Sequence, residues 1–217
     1  MALRSLLHRF VGRRDAPEWK SYVGPPEVYE RSGTLQFAHL KAAGLLPHHK
    51  LIDVGCGSLR AGRHLIAYLE PEGYCGLEPN KWLIDEGVKH LGLAEVVKAK
   101  RPAFAYNADF DLAVFTIKPD FILAQSILSH TSRAQMRALF RGAAGVSHPG
   151  TLFFATYLKG ADDYAGTEWI YPGPARFRPE TVRADAAAAG LDMQELDWEH
   201  THKQTWVRFS PVPYRNS

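Results

Sequence analysis

The residues with the most chemical content lie in the run Leu51-Ile52-Asp53-Val54-Gly55-Cys56-Gly57-Ser58-Leu59-Arg60. An apolar stretch enters a glycine turn and a helical pattern leaves it. Glycine permits the tight turn and lets a ligand approach the backbone closely. A helix start offers free N–H groups. A dinucleotide site wants a third glycine, as in G-x-G-x-x-G; that position holds Arg60. Asp53, at the end of the apolar stretch, would oppose a diphosphate and suits a ligand with a positive amine. A phosphate-binding P-loop needs Gly-Lys-Ser/Thr, which is absent.

Glu78, in Gly76-Leu77-Glu78-Pro79-Asn80, falls 21 residues after Gly57. At about that separation an acidic residue accepts hydrogen bonds from ribose hydroxyls. A ribose, a cationic amino-acid end and no diphosphate describe S-adenosylmethionine. His130, in Ser126-Ile127-Leu128-Ser129-His130-Thr131, follows an apolar run at the edge where open α/β sheets bind ligands. Histidine titrates near neutral pH and can take a proton from a hydroxyl or amine. The alternative is a histidine that caps or precedes the helix beginning near Ser132. His200 and His202 read as exposed residues of a polar connection. Cys56 reads as a small loop filler and Cys75 as core.

Alternating elements position these residues. Strand candidates are Leu51–Val54, Tyr74–Leu77, Phe104–Tyr106, Phe121–Ala124 and Leu152–Tyr157. Helical stretches lie near 27–43, 59–69, 81–91, 132–145 and 179–189. Short apolar strands separated by helices imply βαβ units and a buried parallel sheet. Met193–Trp198 and Thr205–Phe209 alternate like two adjacent antiparallel strands. The stretch Gly160–Pro174, with Tyr164, Trp169 and Tyr171 among glycines and acids, reads either as a lid over an apolar or aromatic acceptor or as an irregular crossover.

Asp53-x-Gly55-x-Gly57, then Glu78, then Asp109-Phe110, then the strand leading to Gln125-Ser126 resemble the class I S-adenosylmethionine-dependent methyltransferases. The segments YVGPPEVYERSGTLQFAHL, VGCGSLRAGRHLI, GLEPNKWLI and FILAQSILSHT are similar to a bacterial methyltransferase-domain branch of unassigned substrate. The resemblance implies a Rossmann-like three-layer α/β sandwich, with a seven-stranded, mostly parallel sheet whose last strand is antiparallel. It implies that the Gly55-Cys56-Gly57 loop packs on the methionine part, with Asp53 near it. Arg60 at the helix start would meet the carboxylate, and Glu78, followed by Pro79 and Asn80, would hold the ribose. Asn107, Asp109 and Phe110 would flank adenine, with Asp111 competing for the role of Asp109, itself readable as a turn aspartate. Gln125 and Ser126 would face the sulfonium. Tyr22 and Tyr29 would form a second acceptor wall opposite Tyr164, Trp169 and Tyr171. One departure is Leu59, where many members have a third glycine; pointing inward, it would shift the cofactor.

The 217 residues carry 26 basic and 23 acidic side chains. Residues 1–20 hold five of the basic and two of the acidic ones, so the rest is neutral. A neutral body weighs against nucleic-acid partners, and an Asn/Asp-Pro-Pro-Tyr/Phe motif of base-amine methyltransferases is absent at Ala124-Gln125-Ser126-Ile127. Residues 1–20 read as a basic amphipathic segment, lying on an anionic membrane surface through residues 1–14 or capping the domain. Residues 21–217 read as a single domain. No apolar run is long enough to span a membrane. Two cysteines with no metal-ligand cluster indicate a reduced, cytoplasmic protein. The expected activity is methyl transfer to an oxygen or nitrogen of a small-molecule acceptor. The alternatives are a non-catalytic cofactor-binding partner protein and a membrane-peripheral lipid or glycan methyltransferase.

Overall fold

The computed structural model describes residues 18–212. The basic segment before Glu18, with its membrane reading, lies outside them. Five strands run parallel: β1 (Leu51–Val54), β2 (Tyr74–Leu77), β3 (Ala103–Ala105), β4 (Phe121–Ala124) and β5 (Leu152–Lys159). β6 (Arg176–Phe177) adds two residues beside the end of β5. β7 (Leu191–Leu196) and β8 (Thr205–Pro211) form an antiparallel pair, and β8 also runs antiparallel to β5. The order is β3-β2-β1-β4-β5-β8-β7, with β6 off that path. The seven expected strands are present and the last is antiparallel. β6 is an addition, made where the 160–175 crossover returns along β5.

β1, β2 and β4 are buried at every residue, as parallel strands covered on both faces must be. Successive side chains point to opposite faces. Ile52, Val54, Ile122, Ala124, Phe153 and Ala155 pack toward α6 (Arg133–Val146) and α7 (Pro179–Ala188). Leu51, Phe121, Leu123 and Phe154 pack toward α2 (Tyr29–Ala42), α3 (Gly62–Tyr68) and α4 (Lys81–His90). These two cores make three layers. Asp53 shares the second face, so its carboxyl enters the α2/α3 layer.

Helix starts differ from expectation where turns intervene. A 3-10 turn, Pro26–Val28, precedes α2. α3 begins at Gly62, because residues 57–61 are turns, so Arg60 sits in the loop and not at the helix start. A short α1 (Glu18–Ser21) and α5 (Ala94–Lys100) complete the helices. α6 opens with a capping box formed by Ser132 and Gln135, which satisfies two otherwise orphaned N–H groups. Among the described residues no helix is long and apolar enough to cross a membrane.

Candidate cofactor and catalytic site

The glycine loop is built by close approach. Gly55 has φ +70° and Gly57 φ +54°, a region L side chains avoid. A Cβ on Gly55 would lie 2.1 Å from Ile127 Cδ1, and one on Gly57 2.7 Å from Val23 Cγ1. Leu59 takes the left-handed conformation (φ +62°) that a third glycine would favour. Its side chain points away from the site into the α3-side core. Cys56 is also buried there, and burial beside Asp53 and Glu78 pushes its thiol up, so it is inert rather than nucleophilic. Tyr29 is 1% exposed and its hydroxyl donates to the Ser58 carbonyl at 2.9 Å. It braces the loop from behind rather than lining an open wall.

Two carboxyls flank this loop. Asp53 is 4% exposed and accepts from Tyr74 Oη at 2.8 Å. Burial pushes it up to about 7; the Tyr74 bond and Arg60 pull it back, and Glu78 raises it. Glu78 is 6% exposed. Its Oε2 accepts from the Gly57 N–H at 3.2 Å, and its Oε1 from the Asn80 N–H and Nδ2, each at 2.9 Å. Burial raises it, and the Asn80 and Gly57 bonds lower it. The acid after β2 therefore meets the loop after β1. Pro79 between Glu78 and Asn80 is exposed.

Arg60 is buried, and its desolvation lowers its pKa. Nη1 donates to the Val23 carbonyl at 2.9 Å and Nη2 to Gln125 Oε1 at 2.5 Å. These residues, with Gln36, Asp53 and the two glycines, line a cavity of about 30 Å³. Val23, in the turn Tyr22-Val23-Gly24, is part of its lining. The Tyr22 carbonyl accepts from the Tyr171 hydroxyl, and the Tyr22 ring meets Trp82 and Tyr171 at centroid distances of 5.3 and 5.8 Å.

On the far side of Glu78, Asp109 Oδ1 accepts the Asp111 N–H at 3.2 Å, the work of a turn aspartate, and Asn107 Nδ2 donates to the Asp111 carbonyl at 3.0 Å. Asn107 Oδ1 is buried with no hydrogen-bond partner among the described residues. Phe110 packs into the α6-side core.

His130 Nδ1 lies 3.0 Å from the carbonyls of both Ile170 and Gly173. Carbonyls only accept, so Nδ1 carries the proton and Nε2 the lone pair. Burial lowers its pKa, and the two carbonyl bonds raise it. The imidazole meets Tyr171 at 5.0 Å and Trp169 at 5.6 Å. His130 thus pins the crossover loop, and its Nε2 has no hydrogen-bond partner among the described residues. Tyr164 is half-buried against the α6-side core, and Trp169 is 43% exposed.

The β7–β8 connection does not stay outside. His200 is half-buried with Nε2 at 2.7 Å from Gln125 Nε2. Gln204 Nε2 donates to Ser126 Oγ at 2.8 Å, and Thr156 Oγ1 donates to Gln204 Oε1 at 2.7 Å. Burial, with His202, Arg60 and His39 nearby, pushes His200 down to about 4. Gln36, Gln204 and His200 carry no motif: α2 brings Gln36 to the cavity, and the β5–β8 pairing brings His200 and Gln204 from 75 and 79 residues beyond Gln125.

The donors and acceptors could hold a sulfonium cofactor, with Glu78 toward a ribose, Asp53 toward an amine and Arg60 toward a carboxylate. No family model matches the sequence, and no curated protein matches it either. Among solved structures, the magnesium protoporphyrin IX methyltransferase of Synechocystis PCC 6803 with bound SAM is similar at 14% identity and TM-score 0.64, over 93% of this chain and 86% of that one. The CcbJ methyltransferase of Streptomyces caelestis is similar at 13% identity and TM-score 0.64, over 91% and 94%. The glycopeptide N-methyltransferase MtfA complexed with SAM is similar at 13% identity and TM-score 0.63, over 84% and 95%. The chain has the Rossmann-like fold of the class I S-adenosylmethionine-dependent methyltransferases.

Proposed function

We propose that the chain is an S-adenosylmethionine-dependent methyltransferase acting on an oxygen or nitrogen of a small-molecule acceptor. The observation that carries this is the meeting of Glu78 with the Gly57 N–H beside buried Arg60 and Asp53. One carboxylate for a ribose, one for an amine and a guanidinium for a carboxylate match that molecule and no dinucleotide. The structural neighbours crystallised with SAM support the reading. Two free, buried cysteines accord with a cytoplasmic setting.

When bound, the cofactor supplies an already activated methyl group. The protein's task is to orient the acceptor and exclude water. His130 serves as the base: Nδ1–H is held by two carbonyls, and Nε2 takes the proton that the acceptor's O–H or N–H loses. Tyr171 and Trp169 lie beside the imidazole, and Tyr22 packs on Tyr171.

Titration calorimetry with S-adenosylhomocysteine and with NAD tests the binding step; affinity for NAD alone would refute the reading. For His130→Ala we expect turnover to fall by about 10²–10⁴-fold, the usual contribution of a positioned base, with S-adenosylhomocysteine affinity unchanged. A wild-type rate would remove His130 from the chemistry.

A further inference from the structure

The donors around His200 outnumber the acceptors. A guanidinium only donates, so the Gln125 atom facing Arg60 Nη2 at 2.5 Å is the carbonyl oxygen. Gln125 Nε2 then faces Ser126 Oγ and His200 Nε2, each at 2.7 Å. On the other side of the ring, the backbone N–H groups of His202 and Gln204 face His200 Nδ1 at 3.0 and 3.4 Å. A neutral imidazole has one lone pair and one N–H. Both ring nitrogens meet donors here, so whichever tautomer forms, its N–H finds no acceptor among the described residues. Turning the Gln125 amide over would set its NH₂ against Arg60. The cluster is one acceptor short, and two of its members, Arg60 and Gln125, line the cavity.

The loop carrying His200 is anchored independently. The Glu199 carbonyl accepts from Trp206 Nε1 at 3.1 Å and lies 2.9 Å from His39 Nε2. The surplus of donors is therefore fixed by the fold and does not relax by loop movement alone. A second proton on the ring would deepen the deficit, in keeping with the low pKa of His200.

We propose that Arg60, Gln125 and His200 form a carboxylate receptor for the amino-acid end of the cofactor, and that His200 is its positioning residue. The proposal rests on the methyltransferase reading and extends it to the β7–β8 loop. A carboxylate at Arg60 replaces Gln125 Oε1 as the guanidinium's acceptor. The freed amide turns its oxygen to His200 Nε2–H and its NH₂ to the carboxylate. His200 Nδ1 keeps the backbone N–H groups, and every donor in the cluster has an acceptor.

The experiment compares two ligands on the full chain by calorimetry. S-Adenosylhomocysteine carries the amino-acid end; 5′-methylthioadenosine keeps the adenosine and thioether without it. His200→Phe preserves a planar ring and removes both nitrogens. It should weaken S-adenosylhomocysteine about tenfold, the scale of one hydrogen bond to a charged group, and leave 5′-methylthioadenosine within about twofold. Gln125→Glu supplies a permanent acceptor to both Arg60 and His200. It should raise the unfolding temperature without ligand, weaken S-adenosylhomocysteine by more than about tenfold through like-charge repulsion, and spare 5′-methylthioadenosine. Equal losses for both ligands, or unchanged S-adenosylhomocysteine affinity in either folded variant, would overturn the proposal. A wild-type chain that binds neither ligand would instead overturn the methyltransferase reading itself.

Discussion

Asp53 illustrates how one buried carboxyl links the fold to binding. Folded, it holds its proton up to about pH 7 against an ordinary value of 3.8. The folded state therefore binds the extra proton between those values. That contribution to stability is present below about pH 4 and is lost as pH rises to about 7. An ammonium beside Asp53 requires the ionised form, so binding below pH 7 must expel the proton. S-Adenosylhomocysteine affinity should climb about tenfold per pH unit up to about 7 and then level. Calorimetry in buffers of unequal ionisation heat should show one proton released per ligand at low pH and none well above 7. Asp53→Asn should flatten the profile; a flat wild-type profile would remove Asp53 from the amine's partners. Leu59 poses a different balance. Its left-handed backbone costs about 1–2 kcal/mol, while emptying its fully buried side chain costs about 2–5 kcal/mol. Packing wins, so Leu59→Gly should lower stability in urea by roughly 1–3 kcal/mol. Ligand affinity should not move, because the side chain faces the core.

At the scale of elements, the site is walled by a strap. Trp19 in α1 is buried against Tyr29 and Leu83, and α2 follows Pro26–Val28. Tyr22-Val23-Gly24 spans the interval over the glycine loop, and the Val23 carbonyl takes the same guanidinium that a ligand carboxylate needs. A ligand carboxylate that takes both guanidinium nitrogens must displace the Val23 carbonyl from Arg60, so we expect the strap to lift on entry. The Tyr171 hydroxyl on the Tyr22 carbonyl opposes that movement. Tyr171→Phe should speed S-adenosylhomocysteine association roughly fivefold, the worth of one ordinary hydrogen bond, read from Trp82 fluorescence in stopped flow. An unchanged rate would mean that the strap does not gate entry. Much of this geometry was legible in the chain itself. β1, β2 and β4 have the expected bounds because fully buried apolar runs between turn residues admit few other readings. α5 leaves no clear pattern, because Ala94–Lys100 is short, with half-exposed apolar residues and no N-cap side chain. The strap and the His200 loop were illegible for a stronger reason. Their contacts with Arg60 and Gln125 join residues 37 to 75 positions apart, and no local pattern encodes such pairs.

The whole molecule makes the site a product of folding. Asp53 comes from β1, Glu78 from the end of β2, Gln125 from the end of β4, and His200 from the connection that lets β8 run back between β5 and β7. The unfolded chain has no such constellation, so a ligand that reads it binds only the native state. At 100 times its dissociation constant such a ligand adds about 2.7 kcal/mol. For a chain of this size that corresponds to a rise in unfolding temperature of roughly 5–10 °C. S-Adenosylhomocysteine should produce this shift and NAD should not, because buried Asp53 places a carboxyl where a diphosphate would lie. Lifting the strap subtracts from the apparent affinity by the fraction of chains that are open. The Tyr171→Phe chain should therefore reach the same shift at a lower ligand concentration. Equal shifts with NAD, or none with S-adenosylhomocysteine at millimolar levels, would show that the glycine loop and its two carboxyls serve another ligand.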